Sequence, residues 1–318
     1  MSNQPVAPKV SALQTSQIKI GTRGSPLALA QANETKSRLS LAHGIEDALI
    51  EIVVISTTGD QIQDRSLAEI GGKGLFTKEL EEQLHDGRID MAVHSMKDMP
   101  AILPDGLEIA CLLQREDARD AFLSPVANSI ADLPQGATVG TSSVRRAAQL
   151  LNIRPDLNIV QFRGNVQTRL RKLDEGVAAA TFLACAGLNR LGMSKMITSA
   201  IGIDIMLPAV AQGAIGIEIA SRDDRARTLL APLHHDTTAV CIETERAFLK
   251  ELDGSCRTPL AGNATLAGDI ITFNAMALTL DGSKVFRTAR TGPVADAAAM
   301  GVDAAEEIRA AAGDDLVT

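Results

Sequence analysis

The sequence predicts two successive α/β domains of the doubly wound type with a cleft between them, followed by a small α+β domain with a three-stranded antiparallel sheet. Two observations predict this fold class. Short apolar runs alternate with amphipathic helical stretches across residues 17–93, and the same alternation restarts after Pro125. After residue 236 the order changes to one helix, three strands and a final helix. Alternating strands and helices favour largely parallel sheets, whereas consecutive strands favour antiparallel ones.

The first domain begins with a strand and a helix. Residues 17–22 alternate between polar and apolar side chains, as in a half-buried strand. Ser25 and Pro26 then supply an N-cap and a favoured first helical residue for a helix over 27–41. The pattern next predicts a strand, a helix and a strand at 50–56, 74–85 and 89–93.

The second domain repeats this alternation. Strands are predicted at 138–140, 158–162 and 178–184, and helices from 141 or 142, over 165–175 and from 187. Residues 204–220 are rich in glycine and apolar residues, which suits a crossing back to a buried strand of the first sheet. We therefore expect the first domain to span 15–113 and 214–233, and the second to span 119–207.

Residues 236–318 form the predicted third domain. Its predicted elements are a helix at 237–252, strands at 261–266, 270–280 and 284–291, and a helix at 294–312. Asp281 and Gly282 stand between two alternating runs, which is a strong signal for a β-hairpin.

Composition excludes several classes of protein. The chain carries 31 Lys plus Arg against 39 Asp plus Glu and has no Trp or Tyr, so neither a nucleic-acid surface nor a base-stacking platform is expected. No apolar run approaches the ~20 residues of a membrane helix. The polar N-terminal segment lacks a signal-peptide core, so we expect a cytoplasmic protein. Cysteines at 111, 185, 241 and 256 are too far apart to suggest a disulfide framework or a zinc site.

Positive charge is concentrated in the second predicted domain. Residues 139–190 contain eight basic and three acidic residues, a local charge of +5 within a chain whose net charge is −8. Arginine at this density favours a specific anionic ligand, because a guanidinium binds a carboxylate or a phosphate through two hydrogen bonds.

The segment 89–100 carries candidate catalytic residues. Ser95, Lys97 and Asp98 follow a short apolar strand, and Pro100 disfavours helix immediately after them. Ligands bind at the carboxyl ends of strands in open α/β sheets, so these polar side chains are expected to face a ligand. The alternative is a solvated strand end in which Lys97 and Asp98 neutralise each other.

Further strand ends carry cations and helix-capping residues. Thr141, Ser143, Arg145 and Arg146 lie at a helix N-terminus, where backbone N–H groups and the helix dipole attract an anion. Two cations are unfavourable there by themselves, so we favour an anionic ligand over a solvated face. Related strand ends carry Arg163, Gly164, Asn165, Arg169, Arg23 and Ser25.

Three loop positions, Lys73, Phe76 and Cys256, are further candidates for the site. Lys73 is not part of a Walker A motif, because Leu67 and Gly74 replace the required glycine and Ser or Thr, but it can serve as a loop cation. Phe76 suits either a shield over the cleft or the core. Cys256 lies on a loop beside an arginine, where a thiol can have a lowered pKa and act as a nucleophile or attachment point.

Together these segments resemble the porphobilinogen deaminase family, also called hydroxymethylbilane synthases. Several long motifs in the same order carry the resemblance. They are Gly-Thr-Arg-Gly-Ser-Pro-Leu-Ala-Leu-Ala-Gln (21–31), Gly-Gly-Lys-Gly-Leu-Phe-Thr-Lys-Glu-Leu (71–80), His-Ser-Met-Lys-Asp-Met-Pro (94–100), Val-Gly-Thr-Ser-Ser-Val-Arg-Arg (139–146), Arg-Gly-Asn-Val-Gln-Thr-Arg-Leu (163–170), Leu-Pro-Ala-Val-Ala-Gln-Gly (207–213) and Gly-Ser-Cys (254–256).

The resemblance implies a monomeric, cytoplasmic transferase of tetrapyrrole biosynthesis that takes porphobilinogen and binds neither nucleic acid, membrane nor metal. It implies a dipyrromethane cofactor joined by a thioether to Cys256. Four porphobilinogen molecules would be added head to tail, each losing ammonia, before water releases hydroxymethylbilane. Asp98 would be the catalytic acid and base. The implied cofactor- or substrate-binding residues are Arg23, Ser25, Gln31, Lys73, Phe76, Ser95, Lys97, Thr141, Ser143, Arg145, Arg146, Arg163, Gly164, Asn165, Arg169, Arg190 and Gln212.

The competing interpretation is a non-enzymatic two-domain carboxylate-binding protein. Paired α/β domains around a cleft also occur in periplasmic binding proteins, which have no catalytic role. The polar N-terminal segment and Cys256 argue against this class. Intact mass distinguishes the two, because only the enzyme carries a covalent dipyrrole.

Overall fold

The computed structural model describes residues 17–61, 75–253 and 258–316. The strands are β1 (Ile18–Arg23), β2 (Ile50–Ile55), β3 (Met91–Ser95), β4 (Leu107–Leu112), β5 (Asp120–Leu123), β6 (Thr138–Gly140), β7 (Asn158–Val160), β8 (Ala180–Ala184), β9 (Ser199–Ala200), β10 (Ile215–Ala220), β11 (Leu260–Ala267), β12 (Ile270–Leu278) and β13 (Val285–Pro293). The α-helices are α1 (Pro26–His43), α2 (Thr58–Gln61), α3 (Lys78–His85), α4 (Val144–Ile153), α5 (Val166–Asp174), α6 (Cys185–Arg190), α7 (Asp224–Leu230), α8 (Asp236–Glu251) and α9 (Ala297–Ala312). Short 3-10 turns occupy Asp47–Leu49, Met96–Asp98, Ser194–Met196, Ala231–Leu233, Val294–Asp296 and Gly313–Asp315.

Two five-stranded sheets share one topology. The first has the order β2-β1-β3-β10-β4, and the second has the order β7-β6-β8-β5-β9. In each sheet the fourth strand is antiparallel to both of its neighbours, while the first three strands run parallel. A three-stranded antiparallel sheet, β11-β12-β13, completes the fold. The predicted fold class is confirmed.

The antiparallel strand of each sheet arrives by a crossing from the other sheet. After β4 the chain leaves the first sheet and enters the second through β5, and it returns through β10. Every residue of β10 is buried, as expected for a strand covered on both faces. The predicted return of 204–220 to the first sheet is therefore confirmed.

Several element boundaries differ from the sequence predictions. Helix α3 begins at Lys78 rather than at 74, and β3 extends to Ser95 rather than ending at 93. Helix α4 begins at Val144 because the Ser143 side chain accepts a hydrogen bond from the Arg146 N–H and caps it. The sequence analysis assigned no strand to β4, β5 or β9. Strands β5 and β9 have only four and two residues, too few for periodicity to identify them.

The third sheet packs against both other parts of the chain. One hydrophobic cluster joins Met96 and Met99, from the segment after β3, to Phe248 of α8 and Phe273 of β12. Another joins Ala148 of α4 to residues of β11 and β12. The turn that carries Asp98 therefore lies on the core of the third sheet.

Among the described residues no helix has both the length and the apolar character needed to cross a membrane.

Candidate active site

The 3-10 turn Met96–Asp98 presents Asp98 to solvent at the carboxyl end of β3. Met96 and Met99 on either side are buried, whereas Asp98 is exposed. Ser95 exchanges hydrogen bonds with Gln31 of α1, with oxygen-to-nitrogen and oxygen-to-oxygen distances of 2.8 and 3.1 Å. These contacts anchor the start of the turn to the first helix and leave the Asp98 carboxylate free to meet a ligand.

Two adjoining cavities surround this turn. The first is lined by Arg23, Ser25, Gln31, Phe76, Ser95 and Asp98, among others. The second includes Gln31, Ser95, Lys97 and Arg190, so it lies between the first sheet and α6 of the second. The Arg23 guanidinium carbon lies 4.1 Å from the centre of the Phe76 ring, a cation–π contact that orders both side chains at the cavity wall.

Lys97 points toward the second sheet. Its Nζ lies 3.4 Å from Oε1 of Gln212, in the segment that returns to β10. Burial lowers the pKa of Lys97 to about 8, although the charge of Asp98 acts in the opposite direction. The ammonium therefore lacks enough local negative charge to offset its desolvation, and a ligand carboxylate would supply it.

Asp120 of β5 is a buried anion that the sequence analysis did not identify. Its oxygens accept hydrogen bonds from Arg145 at 2.7 Å, from Arg146 at 2.7 and 3.1 Å and from Gln212 at 2.9 Å. The two guanidinium groups hold the pKa of Asp120 well below its usual range despite the cost of burial. The two arginines at the α4 N-terminus therefore have a counter-ion within the protein. Its one carboxylate balances only one of their two positive charges.

Arg145 and Arg146 also donate hydrogen bonds to backbone carbonyls. Arg145 donates to Leu207 O at 2.7 Å and Arg146 donates to Phe182 O at 2.9 Å. Both side chains are only 6 % exposed. Asp120 itself lies on a strand 25 positions before Arg145, so no local pattern could have linked them.

Helix α5 begins at the predicted strand end of the second sheet. The Asn165 side chain accepts a hydrogen bond from the Thr168 N–H and caps the helix, and Gly164 has a φ of 115° that favours glycine. The Arg169 Nε donates to Gly164 O at 2.9 Å. Burial lowers the pKa of Arg169 to about 10, with the charge of Arg146 acting in the same direction and that of Asp98 against it. Arg169 and Asp98 are therefore near enough to interact across the cleft.

Hydroxyl groups line the start of α4. The Thr141 hydroxyl accepts a hydrogen bond from the Ser143 N–H at 3.2 Å, and Ser143 caps the helix. Nearby, a buried guanidinium nitrogen of Arg163, Nη1, has no hydrogen-bond partner in the described part of the chain. A buried cation with an unused donor fits a carboxylate-bearing ligand.

Arg190 of α6 reaches across to α1. Its Nε lies 3.3 Å from Glu34 Oε2, and its Nη2 donates to Gly213 O at 3.0 Å. Burial lowers the pKa of Arg190 and the charge of Glu34 opposes that shift. Glu34 was not predicted from the sequence, because it lies 156 positions before Arg190 and no local pattern marks the contact.

Two predicted site residues, Lys73 and Cys256, lie outside the described residues. The other cysteines, Cys111, Cys185 and Cys241, are buried and have free thiols. Burial raises their pKa values to about 12, 11 and 11. Within the described residues no cluster of His, Cys, Asp and Glu side chains could hold a metal ion.

Two α/β sheets meet at a cleft, with Asp98 on one wall and arginines and a lysine around it, an arrangement typical of a protein that binds an anionic ligand between two domains. Residues 18–228 match the family description "Porphobilinogen deaminase, dipyromethane cofactor binding domain", and residues 239–310 match "Porphobilinogen deaminase, C-terminal domain". The chain belongs to the porphobilinogen deaminase family.

Curated relatives agree with the family match. The chain is 58% identical over 299 residues to the porphobilinogen deaminase of Paracoccus denitrificans, covering 94% of this chain and 96% of that protein. It is 53% identical over 299 residues to that of Nitrobacter winogradskyi, covering 94% and 95% of the two chains. Among solved structures, the Bordetella pertussis BvgS VFT2 domain is 15% identical, covers 74% of this chain and 97% of its own, and has a TM-score of 0.42.

Family membership confirms the enzyme class, the pathway of tetrapyrrole biosynthesis and the dipyrromethane cofactor. The non-enzymatic carboxylate-binding interpretation is therefore wrong. The described residues also fit that cofactor, because the buried Nη1 of Arg163 is an unused donor and burial outweighs the nearby negative charge in setting the pKa values of Lys97 and Arg169.

Proposed function

We propose that this enzyme joins four porphobilinogen molecules head to tail on a covalently bound dipyrromethane primer, releasing one ammonia per unit and then hydroxymethylbilane by hydrolysis. The observation that carries the proposal is the exposed carboxylate of Asp98, the one acidic side chain among the described residues that line the two cavities, beside Lys97 and across from Arg169 of the second domain. A substrate with several carboxylates and a developing positive charge matches both features.

Asp98 is the proposed catalytic residue. Each coupling breaks a carbon–nitrogen bond, forms a carbon–carbon bond and moves one proton from a pyrrole carbon to the departing nitrogen. A carboxylate can hydrogen-bond the pyrrole N–H groups, stabilise the cationic carbon that ammonia leaves behind and carry that proton. The dipyrromethane group, when bound, supplies the pyrrole carbon to which the first substrate is joined.

The cations and hydroxyls around Asp98 are the proposed carboxylate-binding set. Lys97, Arg163 and Arg169 have the least internal compensation, so we expect them to contact ligand most directly. The other proposed binding residues are Arg23, Ser25, Gln31, Lys73, Phe76, Ser95, Thr141, Ser143, Arg145, Arg146, Gly164, Asn165, Arg190 and Gln212.

The test of Asp98 is its replacement by Asn. We expect Asp98→Asn to keep the far-ultraviolet circular dichroism of the wild type and to lose nearly all turnover, because the amide can neither accept the proton nor balance a cation. The measurement is single-turnover ammonia release from porphobilinogen. Asp105→Asn, on the exposed loop that follows, is the matched control. Near-normal ammonia release by Asp98→Asn would contradict the proposal.

Cys256 is the proposed attachment point of the cofactor. The support is elimination: a thioether needs an accessible thiol, and Cys111, Cys185 and Cys241 are buried with raised pKa values. Intact mass of the wild type should exceed the chain mass by a dipyrrole, and Cys256→Ser should have the bare mass. Cys241→Ser serves as the control and should keep the excess. A dipyrrole retained in Cys256→Ser would show that another residue holds it.

We further propose a monomer that acts in the cytoplasm, with domains at 15–113 plus 214–233, 119–207 and 236–318. The three separate sheets support this division. The net charge of −8 argues against nucleic acid as a partner, and the local charge of +5 over residues 139–190 supports a small anionic substrate. Light scattering after size-exclusion chromatography measures the oligomeric state.

A further inference from the structure

The turn that carries Asp98 is held at both of its ends by polar side chains that take no part in the proposed chemistry. Before the turn, Nε2 of His94 lies 3.0 Å from Oε2 of Glu218 on β10. After the turn, Nη2 of Arg246 donates to the carbonyl oxygens of Pro100 and Ala101 at 2.8 and 3.2 Å. Asp98 lies between these two attachments.

The two attachments also influence each other. The His94 and Glu218 side chains are 5 % and 0 % exposed. Burial lowers the pKa of Arg246, and the negative charge of Glu218 opposes that shift. Glu218 Oε1 and Arg246 Nη1 are both buried without a hydrogen-bond partner among the described residues. The charge of Glu218 therefore stabilises the Arg246 guanidinium in a poorly solvated part of the protein.

Apolar packing fixes the middle of the turn. Met96 and Met99 belong to the same buried cluster as Ile242 and Phe248 of α8, the helix that also carries Arg246. Gly216 of β10 lies so close to Met96 that a Cβ there would overlap its sulfur atom. Met96 and Met99 are thus held in the core, while Lys97 and Asp98 between them face the two cavities.

We propose that Arg246 is a positioning residue for Asp98: by binding the two carbonyls that follow the turn, it sets the distance of the carboxylate from the cations of the second sheet. This inference rests on the proposed role of Asp98. Arg246 is suited to it because one guanidinium nitrogen bridges two successive carbonyls while the group's charge faces Glu218. A displacement of a catalytic group by about 1 Å can lower the rate about 100-fold.

The first arm of the test replaces Arg246 by Met, which keeps the length of the side chain and removes its donors. We expect kcat to fall about 10- to 100-fold while KM changes by less than about threefold, because the carboxylate-binding cations are untouched. The dipyrrole mass and the circular dichroism should remain those of the wild type. Arg246→Lys should recover part of kcat, since an ammonium can still donate to these carbonyls. Arg287→Met, at an exposed position of β13, is the control and should change neither constant.

The second arm separates positioning from a general loss of structure. If Arg246 acts through Asp98, Arg246→Met should add almost nothing to the loss already caused by Asp98→Asn in single-turnover ammonia release. Additive losses, or a wild-type kcat for Arg246→Met, would overturn the positioning role. Full turnover by Asp98→Asn alone would instead overturn the role of Asp98, so the two failures are distinguishable.

Discussion

At the scale of single residues, the protonation of Lys97 makes ligand binding in the cleft depend on pH. Burial lowers the pKa of this lysine to about 8, so most of its ammonium is charged at neutral pH and the charge is lost as the pH rises through that value. A substrate carboxylate binds only the charged form strongly. The binding contribution of Lys97 is therefore present below about pH 8 and absent well above it.

We expect kcat/KM for porphobilinogen to fall as the pH rises above about 8, because this ratio reports ionisations of the free enzyme. Steady-state rates at fixed ionic strength from pH 6 to about 10 measure the effect. In Lys97→Arg the guanidinium stays charged over this range, so the alkaline fall assigned to Lys97 should disappear. An identical alkaline limb in wild type and Lys97→Arg would show that another group, on the substrate or the enzyme, causes it.

The residue scale also shows what sequence reasoning can and cannot supply. Two arginines at a helix N-terminus led us to expect an anionic ligand, since the helix dipole disfavours cations there. The anion that the structure places against Arg145 and Arg146 is Asp120, part of the protein itself. An internal counter-ion thus accounts for part of this positive charge, and a buried acid on a short strand gives no periodic signal that could have revealed it.

At the scale of elements, Gly301 shows that α8 and α9 are in close contact. A Cβ on Gly301 of α9 would overlap the carbonyl oxygen of Thr244 in α8. In a helix interior, glycine is normally about 1 kcal/mol less favourable than alanine. The close approach of the two backbones reverses that preference at this position.

We expect Gly301→Ala to destabilise the enzyme by about 1–3 kcal/mol instead of stabilising it, because backbone rather than a flexible side chain blocks the new methyl group. Urea unfolding followed by far-ultraviolet circular dichroism measures the change, since the chain has no Trp or Tyr for fluorescence. Glu306→Ala, on the exposed side of α9, is the control. An increase in the unfolding midpoint for Gly301→Ala would show that the helices separate without cost.

The sequence predicted best those elements that carry a local signal, such as a helix cap, a turn residue or an alternation of polar and apolar side chains. The Ser25 cap of α1 and the strand–hairpin pattern around Gly282 have local causes, a side-chain acceptor and a backbone φ of 71°. Strand β5 has no local signal of this kind. It exists because its four residues pair with β8 and β9, which lie more than 50 positions further along the chain.

At the scale of the whole molecule, one buried carboxylate joins the two crossings between the first and second sheets to the third sheet. Glu245 of α8 accepts hydrogen bonds from Arg115 at 2.6 and 3.1 Å, from the Ala211 N–H at 2.6 Å and from the Ala264 N–H at 2.7 Å. Arg115 belongs to the crossing that leaves the first sheet, Ala211 to the crossing that returns, and Ala264 to β11. Arg115 also donates to Gln212 O at 2.8 Å. No pattern within the sequence could reveal this junction, because its members are 19 to 130 positions apart.

We expect Arg115→Met to lower the free energy of unfolding by about 3–5 kcal/mol, because Glu245, which is 0 % exposed, then keeps its charge with only two backbone donors and no cation. Calorimetry should show one transition at a lower midpoint rather than a selective loss of one sheet, since the same carboxylate fastens both crossings and β11. Arg115→Lys should recover part of the loss, and Arg171→Met, on a side chain that is 70 % exposed, should change the midpoint little. If Arg115→Met instead unfolded in two separated steps, the two crossings and the third sheet would be independent of this junction, and the position of the cleft walls would have to be set by the hydrophobic clusters alone.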